Sequence, residues 1–107
     1  MRTYVPKKGD FIAVTFDPQS GHEQKGRRPA LVVSNTLFNE RTGLSIVCPL
    51  TNTDRGYPFH VAVTEDPHVK GFVMVEQVKS IDYRARQAKT IGKASDCLLY
   101  TSDAADE

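Results

Sequence analysis

The strongest constraint on this chain is the way its apolar residues are grouped. They fall into six short runs, at residues 11–16, 29–34, 44–51, 59–64, 72–81 and 88–92. Turn residues separate them, among them Lys8-Gly9-Asp10 and Asp17-Pro18-Gln19-Ser20-Gly21. Runs this short, rich in β-branched and aromatic side chains, read as strands. Residues 35–43 hold the one helical turn, which Gly43 stops. There is no internal repeat, heptad or low-complexity tract. The pattern predicts a mainly β domain, a small barrel whose closure removes exposed strand edges. Pro49 cannot donate to a ladder, so it marks a bulge, an edge or a strand end, and Thr51 falls near a strand terminus.

Size and composition narrow the function classes. A chain of 107 residues with 39% apolar content supports one modest core. No apolar run approaches the ~20 residues of a membrane span, and the first residues lack the apolar stretch of a secretory signal. The expectation is a cytoplasmic protein with no membrane partner. Cys48 lies in a strand pattern and reads as a small buried hydrophobe. Neither it nor Cys97 has partners at metal-ligand spacing, so no metal or other cofactor is expected. The net charge of +1 conceals an asymmetry. Up to Ser95 there are fourteen bases and nine acids, a net of +5. Lys79, Arg84, Arg86, Lys89 and Lys93 lie within fifteen positions. A basic body of this kind suits a polyanion, although solubilising charge has the same composition.

The densest polar chemistry is His22-Glu23-Gln24-Lys25-Gly26-Arg27-Arg28-Pro29, which feeds directly into the apolar run at 29–34. It reads as a loop delivering polar groups to a packed strand, with Arg28 at the hinge. Pro29 biases Arg28 toward extended geometry.

Six blocks occur in order: Lys8-Gly9-Asp10, Phe16-Asp17-Pro18, the segment from Gly21 to Pro29, Pro49-Leu50-Thr51, Gly56-Tyr57-Pro58-Phe59, and Glu76-Gln77-Val78-Lys79-Ser80-Ile81-Asp82. Together they resemble the MazF/PemK family of toxin endoribonucleases, nearest its MazF branch, over residues 4–94. The resemblance implies an SH3-like barrel of the PemK/CcdB type and a symmetric homodimer. It implies the toxin of a type II toxin–antitoxin system, cleaving single-stranded RNA without a metal and leaving a 2′,3′-cyclic phosphate and a 5′-hydroxyl. The implied partner is a MazE-like antitoxin whose acidic tail occupies the RNA groove, with operator DNA reached only through that complex. Matched motif to motif, the family's catalytic arginine falls on Arg28, its threonine on Thr51 and its loop acid on Glu23. The histidine of PemK-like members falls on His22 and their acid on Glu76. Their arginine two positions before that acid is Met74 here, which favours the Arg28/Thr51 assignment.

The chemistry fits these residue types. Arg28 offers two donors in a fixed fork to a phosphate; a guanidinium holds its protons too tightly to be a good proton donor. Thr51 offers a neutral hydroxyl donor, although a threonine at a strand end also serves its own backbone. Glu23 is a candidate base for the 2′-hydroxyl, and equally an ion-pair partner orienting Arg28. His22, which titrates near neutral pH, joins the substrate-binding group, as does Asn52 at the start of the loop after the third run. Glu76 and Gln77, late in the fifth run, point to opposite faces of a regular strand, and such groups read unstacked base edges. Lys25, Lys79 and Arg86 suit backbone phosphates. Tyr57 and Phe38 are candidate base-stacking aromatics, while Phe59, which heads a strand, is expected in the core.

The domain is expected to end at residue 94. In place of the amphipathic helix that usually closes this family, residues 95–107 form an atypical tail without apolar periodicity after Tyr100. The C-terminal helix is expected to be truncated, and the tail frayed or weakly helical. Two alternatives share the barrel: a non-enzymatic CcdB-like gyrase poison and an inactive toxin remnant.

Overall fold

The computed structural model describes residues 4–15, 27–53, 56, 58–63 and 69–94. Seven strands and one helix follow one another: β1 (Asp10–Thr15), β2 (Arg27–Val32), α1 (Thr36–Thr42), β3 (Leu44–Thr51), β4 (His60–Val63), β5 (Gly71–Met74), β6 (Lys79–Asp82) and β7 (Lys89–Lys93). All pairings are antiparallel, in the order β4-β5-β3-β2-β1-β7, with β6 also on β3. The result is a strongly curled antiparallel sheet, a half-barrel; the mainly β barrel class expected from the strand pattern holds, with the sheet left open rather than closed among the described residues.

The central strands are buried on both faces, which is why residues 30–33 read as a continuous apolar run. Phe11, Leu31, Cys48, Leu50 and Val73 pack on one side. Ile12, Val14, Ala30, Val32, Val47 and Ile81 pack on the other. The period-2 alternation of strand side chains divides each run between these clusters.

Helix α1 forms because both ends are capped. The Asn35 side chain accepts from the Phe38 N–H at 2.8 Å, and Gly43 closes the helix in the left-handed region at φ 73°. On its inner face Asn39 is fully buried. Its Nδ2 donates to the Pro6 and Ser34 carbonyls, at 2.8 and 3.3 Å, and its Oδ1 accepts from the Ser34 hydroxyl. The Ser34 hydroxyl in turn accepts from Ile46 N, at 2.9 Å, and Tyr83 Oη donates to the Asn39 carbonyl at 2.8 Å. This network ties the N-terminal arm, the helix, β3 and the turn after β6 into one unit.

Three expectations are revised. First, β2 begins at Arg27, and Arg28 pairs with Val14 of β1; Arg28 therefore lies within a strand, not at a loop hinge. Second, the fifth run is not one strand. Leu50 faces Val73 while Val47 faces Lys79, so three steps along β3 match six along the other chain. The excess of three residues is taken up by a 3-10 turn at Val75–Gln77, which re-aims Glu76 and Gln77 as a bulge does. Third, Phe59 is 51% exposed in the turn before β4, not in the core.

Pro49 sits inside β3, opposite Ala30. Val33 N donates to the Ile46 carbonyl, and the alternation of an antiparallel ladder then turns Pro49 N away from β2, toward the outer edge. That edge is where β6 pairing has ended at Val47 and β5 pairing has not begun until Leu50. The missing donor falls where the ladder changes partner.

Candidate active site

The β2–β3 ladder runs through Val32–Val47, Leu31–Cys48 and Ala30–Pro49, and stops. The next pair would be Pro29 with Leu50. By the alternation set at Val33–Ile46 it is a position where both residues exchange hydrogen bonds. Pro29 has no N–H to give, so the two strands part there. One step further, the same register would set Arg28 opposite Thr51. Both lie on the sheet face that carries Ala30, Val32 and Val47. The sequence thus brings its candidate arginine and threonine to one end of the sheet and leaves the backbone between them unzipped.

A cleft of about 340 Å³ occupies this end, lined by Ala13, Arg28, Pro29, Asn52, Val69, Lys70 and Ile91; Val69 and Ile91 place it toward the Phe11 and Leu31 side of the sheet, and Thr51 adjoins its described lining through Asn52. Arg28 is half-buried, Asn52 and Lys70 are exposed, and Thr51, next to Asn52, is half-buried. The Thr51 hydroxyl accepts from Thr53 N at 3.2 Å. That local bond, the ordinary behaviour of a strand-end threonine, uses an acceptor site and leaves the O–H proton to be donated outward. Gly71 supports this end from the β5 side. Its φ is 122°, and a Cβ there would lie 2.6 Å from the Thr51 carbonyl oxygen and 3.3 Å from Asn52 Oδ1. Glycine alone permits so close an approach.

Glu76 stands on the 3-10 turn, on the outer edge of β3. Its Oε2 is 2.8 Å from Nε2 of His60, the first residue of β4. A carboxylate only accepts, so Nε2 carries the donated proton. The His60 side chain is 3% exposed and that of Glu76 is 34% exposed. The pair anchors one carboxylate oxygen and leaves the group partly open to solvent. Gln77 is exposed on the same turn, and Lys79 is exposed opposite Val47. Four residue steps along β3 separate Val47 from Thr51, about 13 Å of strand. Arg86 Nη1 donates to the Thr15 carbonyl at 3.2 Å, pinning the end of β1.

Of the candidate residues, Arg28, Thr51 and Asn52 gather at the open strand ends. Glu76, Gln77 and Lys79 lie further along the outer edge of β3. His22, Glu23 and Lys25 fall outside the described residues, as do Tyr57 and the segment 95–107 expected to form the tail. Two residues escaped sequence reasoning. His60 looked like an ordinary position in an alternating strand, and Lys70 like part of a turn. Only the spacing of Lys70-Gly71 before an apolar run hinted that a backbone there must approach another closely. No helix among the described residues is long and apolar enough to cross a membrane.

The chain has well-characterised relatives. The profile of the PemK-like, MazF-like toxins of type II toxin–antitoxin systems matches residues 7–103. The endoribonuclease toxin MazF of Escherichia coli K12 is 45% identical over 89 residues, covering 83% of this chain and 79% of that protein. The endoribonuclease toxin ChpB of the same strain is 46% identical over 95 residues, covering 84% and 81%. Among solved structures, a MazE–MazF crystal structure from Deinococcus radiodurans superposes with a TM-score of 0.89 at 39% identity, covering 97% of this chain and 94% of that one.

Proposed function

Because this chain belongs to the PemK-like, MazF-like family of type II toxin–antitoxin toxins, we propose that it is an endoribonuclease toxin that cuts single-stranded RNA at the open ends of β2 and β3. The ribose 2′-oxygen attacks the adjacent phosphorus and loses its proton. The bond from phosphorus to the 5′-oxygen breaks, and that oxygen takes up a proton. The products are a 2′,3′-cyclic phosphate and a 5′-hydroxyl. No metal is required for this displacement, provided the phosphate is held in line and its added charge is met.

Arg28 meets that charge with a two-pronged donor, where the benefit is largest in the transition state. Thr51 donates its outward O–H to a second phosphate oxygen. Glu23 or His22 takes the 2′-hydroxyl proton. Asn52, Lys25, Glu76, Gln77 and Lys79 hold flanking nucleotides. The functional unit is a homodimer, the partner in the cell a MazE-like antitoxin, and the compartment the cytoplasm. The observation that supports this reading best is the cleft shared by Arg28 and Asn52 at the place where Pro29 ends the ladder.

The test is to incubate the purified protein with mixed cellular RNA in EDTA and map the new 5′ ends. Cleavage at one short motif, reduced about 10²–10³-fold in Arg28→Ala, is expected. RNA left intact by the wild-type protein, or an Arg28→Ala variant of full activity, defeats the proposal.

A further inference from the structure

We propose that Lys70 is a second phosphate-binding cation of the same cleft, seating an RNA phosphate next to the scissile one. This rests on the endoribonuclease reading above and adds a residue to it. Lys70 lines the cleft together with Arg28 and Asn52. The two cations come from opposite walls: Arg28 from β2, and Lys70 from the residue preceding β5. The strand order places β3 between β2 and β5. A sugar–phosphate chain laid across the end of β3 therefore meets one cation on each side of Asn52.

The position of Lys70 is held by the backbone. Phe72 pairs with Thr51, so the two residues before it run past the strand end, alongside the start of the following loop. Gly71 packs its bare Cα against the Thr51 carbonyl and Asn52 Oδ1. That contact fixes the root of the Lys70 side chain relative to Thr51, while the side chain itself is exposed.

The lining favours an anion. Among the described residues it consists, besides Asn52 and the two cations, of Ala13, Pro29, Val69 and Ile91, with no carboxylate. No acidic side chain among the described residues pairs with Lys70. An ammonium on a flexible stem is a point charge suited to a backbone phosphate, and adds affinity without sequence choice. A continuous polyanion strand suits two cations in one cleft better than a carboxylate peptide, because on the reading above Arg28 takes the neighbouring phosphate.

The test measures kcat and KM for cleavage of a long unstructured transcript by the intact protein, between about 50 and about 200 mM salt. Lys70→Gln is expected to raise KM about threefold, the scale of one exposed charge contact, and to leave kcat within about twofold. The slope of log(kcat/KM) against log salt should become shallower by about 0.7, the value for one phosphate contact on a single strand. Lys70→Arg should keep the wild-type slope. An unchanged KM and slope in Lys70→Gln, with the wild type active, overturn the proposal and leave the endoribonuclease reading standing. So does a loss confined to kcat, which would mean that Lys70 acts only through the Thr51 backbone. Weakened binding of poly-glutamate with RNA kinetics unchanged makes the site a carboxylate site and also overturns it. A wild-type protein that neither binds nor cleaves RNA removes both readings together.

Discussion

The two ends of β3 are built on opposite principles. At the Leu44 end Ser34, Asn39, Tyr83 and the Pro6 carbonyl close a buried network around the strand, and Ile46 bonds into it. At the Thr51 end a proline in β2 withholds a donor, the ladder stops two pairs early, and a cleft opens. One end holds the strand in place; the other presents it. A satisfied buried network is stiff, so a single strand carries rigidity from its closed end to side chains at its open end. Preorganisation of this kind is what a phosphate-stabilising site needs.

Asn39→Leu should do the most damage to the closed end. It removes the acceptor of the Ser34 hydroxyl and the donor to two buried carbonyls, and a loss on the order of 3 kcal/mol in denaturant unfolding is expected. A loss below about 1 kcal/mol would mean that the network does not anchor β3. Gly71→Ala comes next, on the open end. Its Cβ would meet the Thr51 carbonyl oxygen at 2.6 Å in a left-handed backbone, for an expected cost of about 2 kcal/mol. RNA cleavage should fall along with the melting midpoint, since Thr51 must move.

Pro29→Ala sharpens the comparison most directly. It restores an N–H facing Leu50, a gain of about 1 kcal/mol, and loses the restriction proline puts on the unfolded chain, about 0.4–1 kcal/mol. Stability should change by less than about 0.5 kcal/mol, whereas kcat/KM should fall several-fold as the ladder zips toward Thr51. Hydrogen exchange at the amide of position 29 reads the zipping; a fast-exchanging amide with unaltered cleavage would show that the proline does not open the cleft.

The smallest effect concerns the N-terminal arm. Burial first, and then the hydrogen bond and charge of Asp10, push the Tyr4 hydroxyl well above the ordinary tyrosine range. A raised folded-state pKa gives stability that is complete below the unfolded value, about 10, and is lost as pH rises through the folded value. Tyr4→Phe should therefore flatten the alkaline fall in unfolding midpoint above pH about 10 and leave its pH dependence near neutrality unaltered. Parallel alkaline curves for the two proteins would remove Tyr4 from the account.

Much of this was legible beforehand, for identifiable reasons. The runs at 11–16 and 44–51 became strands almost where their apolar residues lay, because strand burial is written in local composition. Asn35 and Gly43 bounded α1 because capping needs only neighbours a few residues away. Arg28 and Thr51 stood out through motif order. The fifth run misled because its composition is uniform strand-former, while the three residues at Val75–Gln77 were dictated by two registers on β3. Phe59 misled because side-chain type says nothing about which turn leaves a ring in solvent.

Residue identities alone settled most of the strands, the glycine stop of α1, the basic body and the types of group offered to a phosphate. Those follow from interactions over a few positions and from charge. That Pro29 would open a cleft, that His60 would grip Glu76, and that Lys70 would line one cleft with Arg28 depended on strands distant in sequence meeting in one register. Register is set by the packing of the whole sheet, and a slip of one residue would send each of these side chains to the opposite face.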